Sequence, residues 1–319
     1  METSDQPDMF GRRPGELLVR PATPPAEVLE TARRIPRSLH LGTSSLSFPG
    51  WAGIVYAEQY SVGVLARHGL AAYAAHPLLN SLNIDSTFYR PPSARQLAEQ
   101  AAEVPESFRF IVKAYTGLTT APDTARAQQR GIEPVFLDPL FARENVIAPI
   151  MEGLGSRLGA VLFQFSPLGY RYIEDPDTFV ARLAEFLGAL PRGPRYAIEL
   201  RDPEILGAAY EDALAASGAV HCHSVHARMP PVDSQVVREE AGPLVIRWML
   251  RTGDDYESAG MRFAPFNRLA EPDKLSRSRI TALVKRGLSC GRDVYVTAAN
   301  NAEGCAPLTL FELAKAVAN

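Results

Sequence analysis

From residue 39 onward the chain repeats one alternation: a short apolar run of strand length, then a longer stretch with helical periodicity. The strand-like runs fall at 39–42, 78–85, 108–114, 159–165, 195–201, 218–225, 243–250 and 292–300. Helical patterns lie near 59–75, 93–103, 138–156, 176–189, 204–217, 273–289 and 307–318, with Ser93 as an N-cap after two prolines. Several runs are apolar on both faces, as strands covered by helices must be. Eight such units predict an α/β fold, a single (β/α)8 TIM-type barrel. An open doubly wound sheet is the alternative, but no G-x-G-x-x-G follows the first run. The connection 226–242 lacks a helical pattern, and the polar stretch 115–135 is long enough to cover one end of a barrel.

The barrel domain is placed at 38–319. Residues 1–37, rich in proline and arginine, read as an N-terminal extension outside the core, flexible or draped over its surface, with "ARRIPR" as a solvated linker. Apolar residues make up 46% of the 319, enough for one sizeable core. A net charge of −3 argues against nucleic acid as a partner while leaving room for a local basic pocket. Cys222, Cys290 and Cys305 are odd in number and scattered, which suits a reducing compartment. The start of the chain lacks the pattern of a signal peptide, and no apolar run approaches ~18 residues, so a cytoplasmic protein without membrane contact is expected.

Side chains on a barrel strand alternate between lumen and helix layer, and reactive groups gather at the C-terminal ends. Applied here, the rule gives a polar residue in strand after strand. Asn83 and Asp85 share a face of the second, Lys113 ends the third, and Gln164 sits among apolar neighbours in the fourth. Glu199 and Arg201 share a face of the fifth, Arg247 lies inside the seventh, and Asn300 ends the eighth. The first loop, "GTSSLSFPGW", adds Thr43, Ser44 and Trp51, with Trp51 either stacking on a ligand or capping the mouth; Tyr89 follows the second strand. A buried polar group left unpaired costs roughly 1–3 kcal/mol, so these groups either satisfy one another or meet a ligand. Two acids against three bases favour anion binding: a small anionic or polyhydroxylated ligand, sugar- or phosphate-like. Asp85 and Glu199 are the candidate acid and base, and Lys113 is an anion anchor or, less simply, a Schiff-base amine.

The stretches "GTSSLSFPGW", "NIDSTFYRPPS", "FRFIVKA", "LGAVLFQFSP", "AIELRDP" and "VIRWML…DVYVTAANNAEG" stand in the order found in the YecE-like family, domain of unknown function 72. The resemblance covers about residues 39–315 and implies a TIM-type barrel; it implies no known reaction. The chain departs from the family pattern in carrying Asn83-Ile84-Asp85 where Glu-Ile-Asn is common, and in lacking two of its histidines. A non-catalytic binding or interaction barrel is therefore the alternative to an enzyme.

"HCHSVHARMP" gathers His221, His223 and His226. An H-x-H pair on the lumen face is a candidate for holding a divalent metal; on the other face it is a pair of half-buried histidines. No cofactor is expected otherwise. Neither a G-x-S-x-G elbow nor a phosphate-binding P-loop is present.

Overall fold

Eight parallel strands pair in chain order and close on themselves in the computed structural model, which describes residues 18–128, 132–236, 241–251 and 253–319. They are β1 (Leu39–Thr43), β2 (Ser81–Ile84), β3 (Arg109–Lys113), β4 (Leu158–Gln164), β5 (Tyr196–Glu199), β6 (Val220–Val225), β7 (Leu244–Trp248) and β8 (Val294–Ala298). The seam is the β1–β8 pair, where Leu39 meets Val294 and Thr43 meets Ala298. At Gly42 a Cβ would lie 2.3 Å from the Ser81 carbonyl oxygen, so glycine is what lets β1 approach β2. The expected (β/α)8 barrel is therefore the observed one.

Odd and even positions of each strand divide the core in two, as the pleat requires. The lumen holds a small apolar cluster that includes Ile111, Leu162, Ala197, Cys222, Val245 and Tyr295, with His40 stacked on Tyr295 at 4.7 Å. The outward positions, among them Leu41, Val112, Phe163, Ile198, Ile246 and Val296, join the helices in one large core. Closing the lumen with packed side chains leaves only its C-terminal end for a site.

The helices follow the sequence pattern closely. Ser93 accepts from the Gln96 amide at the start of Ala94–Ala102, and Pro176–Ala189, Lys274–Ser289 and Ala306–Ala318 stand within a residue of expectation. The connection after β6 contains a single 3-10 turn, Val232–Ser234, among its described residues. The long stretch after β3 is tied down: Thr116–Thr119 is buried, Ser166 donates to the Thr119 carbonyl, and Phe136 packs on Phe165 and Tyr172. Residues 129–131 of it lie outside the described residues.

Where it is described, the N-terminal extension is draped over the barrel rather than flexible. Val19 is fully buried, Ala26–Arg34 is a helix, and that helix packs against Ala306–Ala318. Apolar positions at helical spacing (Val28, with Ala32 and Ile35 behind it) give the segment a face to bury, which its high proline and arginine content obscures. Residues 1–17 lie outside the described residues. No helix among the described residues is long and apolar enough to cross a membrane.

Candidate functional site

Strand alternation carries the polar members of β2 to β5, β7 and β8 inward at the same end. Glu199, the last residue of β5, is wholly buried, and its carboxylate is held from two sides. Arg201 Nη2 lies 2.6 Å from Oε1, and Arg247 Nη1 bonds Oε2. Arg247 also donates to Gln164 Oε1 at 3.4 Å and places Nη2 3.5 Å from Asp85 Oδ2. Below them Thr297 donates to Asn83 Oδ1 at 2.8 Å, which orients the amide. Glu199 thus pairs with both arginines, and Asp85 turns to Arg247.

Lys113 ends β3 within the same cluster. Its Nζ stands 3.8 Å from the centre of the Phe88 ring, and no carboxylate lies within ion-pair distance of it among the described residues. Arg126 covers the same ring at 5.1 Å. Phe88 is held there by the turn Ser86–Phe88, in which Thr87 Oγ1 reaches the carbonyls of Ile84 and Lys113 at 3.0 and 2.6 Å. An ammonium over an aromatic face gains a cation–π attraction in place of part of its hydration.

The electrostatics follow from burial against charge. Burial alone would raise the Glu199 pKa, but Arg201, Arg247 and Lys113 outweigh it and hold the carboxylate at about 2. Arg247 is raised above its ordinary value by Glu199 and Asp85 in spite of burial. Lys113 is pushed down to about 8, chiefly by burial, with Asp85 the strongest opposing charge. Several atoms around this cluster are buried without a hydrogen-bond partner: Asn83 Nδ2, Asp85 Oδ1, Arg201 Nη1, Ser224 Oγ and Arg247 Nε. Orphaned buried polar atoms of this kind are rare in native proteins and are expensive unless something fills them.

Asn83, Asp85, Lys113, Gln164, Glu199, Arg201 and Arg247 are thus brought together as the alternation rule predicts. Thr43 and Trp51 are not. Thr43 is an outward position of β1, bonded to Tyr73 Oη at 3.0 Å and to the Ser45 carbonyl. Trp51 is fully buried, so it does not stack on a ligand, and donates Nε1 to Asn300 Oδ1 at 3.2 Å. Asn300 also accepts from the Ala306 amide, so it fastens the first loop to the last helix and keeps only Nδ2 unpartnered. Ser44 continues β1, its amide bonded to the Ala298 carbonyl, and its side chain is half-buried. Tyr89 is 73% exposed and meets the cluster only through an edge contact with Phe88.

His221 and His223 take outward positions of β6, away from the lumen. His221 bonds Tyr210 Oη at 3.0 Å and Gln235 Oε1 at 3.1 Å, and His223 Nδ1 meets the Val232 carbonyl at 2.9 Å. Burial keeps both neutral, pushing them down to about 4 and about 3. They do not offer a metal a pair of ligands at the mouth.

Apart from His226, singled out with the other two histidines, several neighbours carried no individual signal in the sequence. Ser224 and Thr297 are inward positions that the alternation of β6 and β8 could have supplied. His226 and Tyr256, 6.3 Å apart, lie near the guanidiniums: burial, then Arg201, lowers His226 to about 4, while burial raises Tyr256 against both arginines. Nothing in the sequence marks Phe88, rather than Tyr89, as the ring beneath Lys113.

A (β/α)8 barrel whose packed lumen ends in a carboxylate clamped by two arginines defines a class of TIM-type protein with one polar mouth. Within it, the chain belongs to the family described as protein of unknown function DUF72, whose model matches residues 40–319. It is similar to the UPF0759 protein YunF of Bacillus subtilis, 31% identical over 125 residues; that match spans 38% of this chain and 39% of YunF. A DUF72 family protein of Enterococcus faecalis has a similar fold, with a TM-score of 0.57 at 18% identity over 88% of this chain and 95% of that one. A DUF72 family protein of Thermotoga maritima gives 0.56 at 19% identity over 87% and 98%. At these identities the two structures bear on the fold.

Proposed function

We propose that the mouth of the barrel binds a small anionic ligand and that the protein is an enzyme acting on it. The observation that carries this reading is the set of buried donors left without partners, Arg201 Nη1, Arg247 Nε and Asn83 Nδ2, in a cluster with three cations and two carboxylates. A carboxylate or phosphate oxygen accepts from such donors, and arginine presents them in a fork suited to it. A chain of net charge −3 concentrates positive charge here against its overall sign.

Of the two candidate carboxylates, Asp85 is the better proton-transfer group. Its side chain is 31% exposed and bound to a single guanidinium at 3.5 Å, so a ligand can reach it. Glu199, locked by two arginines and held ionised, positions the anion-binding forks instead. That same locking favours the second reading, a binding barrel without chemistry, because it removes one acid from the acid–base pair.

Thermal-shift measurements with inorganic phosphate, lactate and neutral sugars test the reading. Phosphate or lactate should stabilise the protein, by about 2.7 kcal/mol at a hundred times its Kd, and Arg201→Gln should abolish the shift. Equal shifts in the variant, or stabilisation by neutral sugars alone, would contradict it. A ligand that binds and is recovered unchanged decides for the non-catalytic barrel.

A further inference from the structure

Lys113 differs from every other cation of the chain. Of the 33 basic side chains only four are lysines, and Lys274, Lys285 and Lys315 lie on outer helices, exposed or half-exposed. The single buried lysine stands inward at the C-terminal end of β3. If the mouth needed only another fixed positive charge, the arginine that this chain uses almost everywhere else would supply it. What lysine adds is a compact primary amine that can lose its proton.

Its surroundings suit that use. The Nζ rests on the Phe88 face rather than against a carboxylate, so no tight ion pair holds the proton in place. Across the mouth, Arg201 and Arg247 present the unpartnered Nη1 and Nε, and Asp85 keeps Oδ1 buried and unbonded. The site therefore combines a nucleophile, an anion fork and a proton carrier. The depressed Lys113 pKa, about 8, leaves an appreciable fraction of neutral amine near neutrality.

We infer that Lys113 is a covalent catalytic residue: its amine forms an imine with a short aldehyde or ketone that carries a carboxylate or phosphate. This rests on the anion-site reading above and adds the substrate class. Neutral Nζ adds to the carbonyl carbon, forming the C–N bond, and the carbonyl oxygen becomes the hydroxyl of a carbinolamine. Proton transfers assisted by Asp85 let that hydroxyl leave as water. Overall, one carbonyl and one ammonium give one iminium and one water, with no oxidant or reductant. The iminium then serves as an electron sink for a bond on the neighbouring carbon, while the two guanidiniums hold the anionic end.

Reductive trapping tests it on the intact protein. Pyruvate or dihydroxyacetone phosphate is added with sodium cyanoborohydride at about pH 7.5, where an amine of pKa ~8 is over a hundredfold richer in neutral form than an ordinary lysine. Peptide mapping then compares the four lysines. The expected result is labelling of Lys113 at least tenfold faster than of Lys274, Lys285 or Lys315, slowed by lactate and abolished at that position in Lys113→Arg. Labelling of the four lysines at similar rates, or none at Lys113, overturns the inference, and wild-type mapping decides this even if the variant fails to fold. If phosphate or lactate stabilises the protein while Lys113 stays unlabelled, the imine fails and the anion site stands. If Lys113 is labelled but neither anion slows it, the anion reading fails and the proposed substrate class with it.

Discussion

Glu199 is the residue on which the mouth of the barrel depends. Its carboxylate is shared by two arginines in a place that water does not reach, so removing its charge leaves two buried guanidiniums with Asp85 as their remaining counter-charge. Loss of one partner from a buried ion pair typically costs ~3–5 kcal/mol. Glu199→Gln should therefore lower the stability of the fold by roughly that amount in urea titrations. Added phosphate should restore more stability to the variant than it gives the wild type, because an anion replaces the missing charge. The same carboxylate makes stability depend on pH. Its folded pKa, about 2, lies below the ~4.3 of an unfolded glutamate, so its contribution is complete above about pH 5 and is lost as pH falls toward 2. Between pH 5 and 3 the wild type should lose stability more steeply than Glu199→Gln. Parallel pH dependences would mean that the two arginines do not hold the acid as described.

At the level of elements, what could be read in advance was the strand face, wherever one face was apolar and the other was not. "AIELR" puts Ile198 and Leu200 against helices and Glu199 and Arg201 inward, and β2 does the same with Asn83 and Asp85. β6 reads ambiguously because Val220, Cys222 and Ser224 on one face and His221 and His223 on the other are all small or neutral enough to bury. Its orientation is set by partners distant in sequence, Tyr210 and Gln235, and no local pattern announces them. Trp51 could not be placed between its two alternatives for the same reason, since its partner Asn300 is 249 residues away. Gln235 shows how much one such partner holds. Its amide donates to the carbonyls of Ser224 and Pro230 at 2.7 and 2.9 Å, and its oxygen accepts from the Ser224 amide and meets His221. Gln235→Ala would leave several of these groups buried and unbonded, at a cost of about 2–4 kcal/mol. Amide exchange should accelerate in 226–236 more than in β1 or β8. Uniform acceleration would show that the segment is not an independent element.

On the scale of the whole molecule, a barrel closes only if its first and last strands stay paired, and here the chain outside the barrel guards that seam. The helix Ala26–Arg34 lies against Ala306–Ala318, Arg34 donates to the Ala318 carbonyl at 2.9 Å, and Glu27 stands 3.4 Å from Lys315. Just before it, Ala22 and Ala57 exchange backbone bonds with Val55 and Arg20, fixing the first βα loop that carries Trp51. Trp51 in turn reaches Asn300 just past β8, so the N-terminal segment, the first loop and the last helix form one clasp over the β1–β8 pair. Its exposed ion pairs contribute little, whereas Val19 and Val28 are buried and worth roughly 1.5–3 kcal/mol each. A chain shortened to begin at Arg37 should accordingly lose about 3–6 kcal/mol of stability. Exchange should rise first in β1, β8 and the loop 44–60, on the side of the barrel away from β5. The arginine clamp on Glu199 should survive, so phosphate should still raise the melting temperature of the shortened protein. If truncation instead abolished that shift while the barrel stayed folded, the clasp would be part of the binding site rather than a brace for the seam.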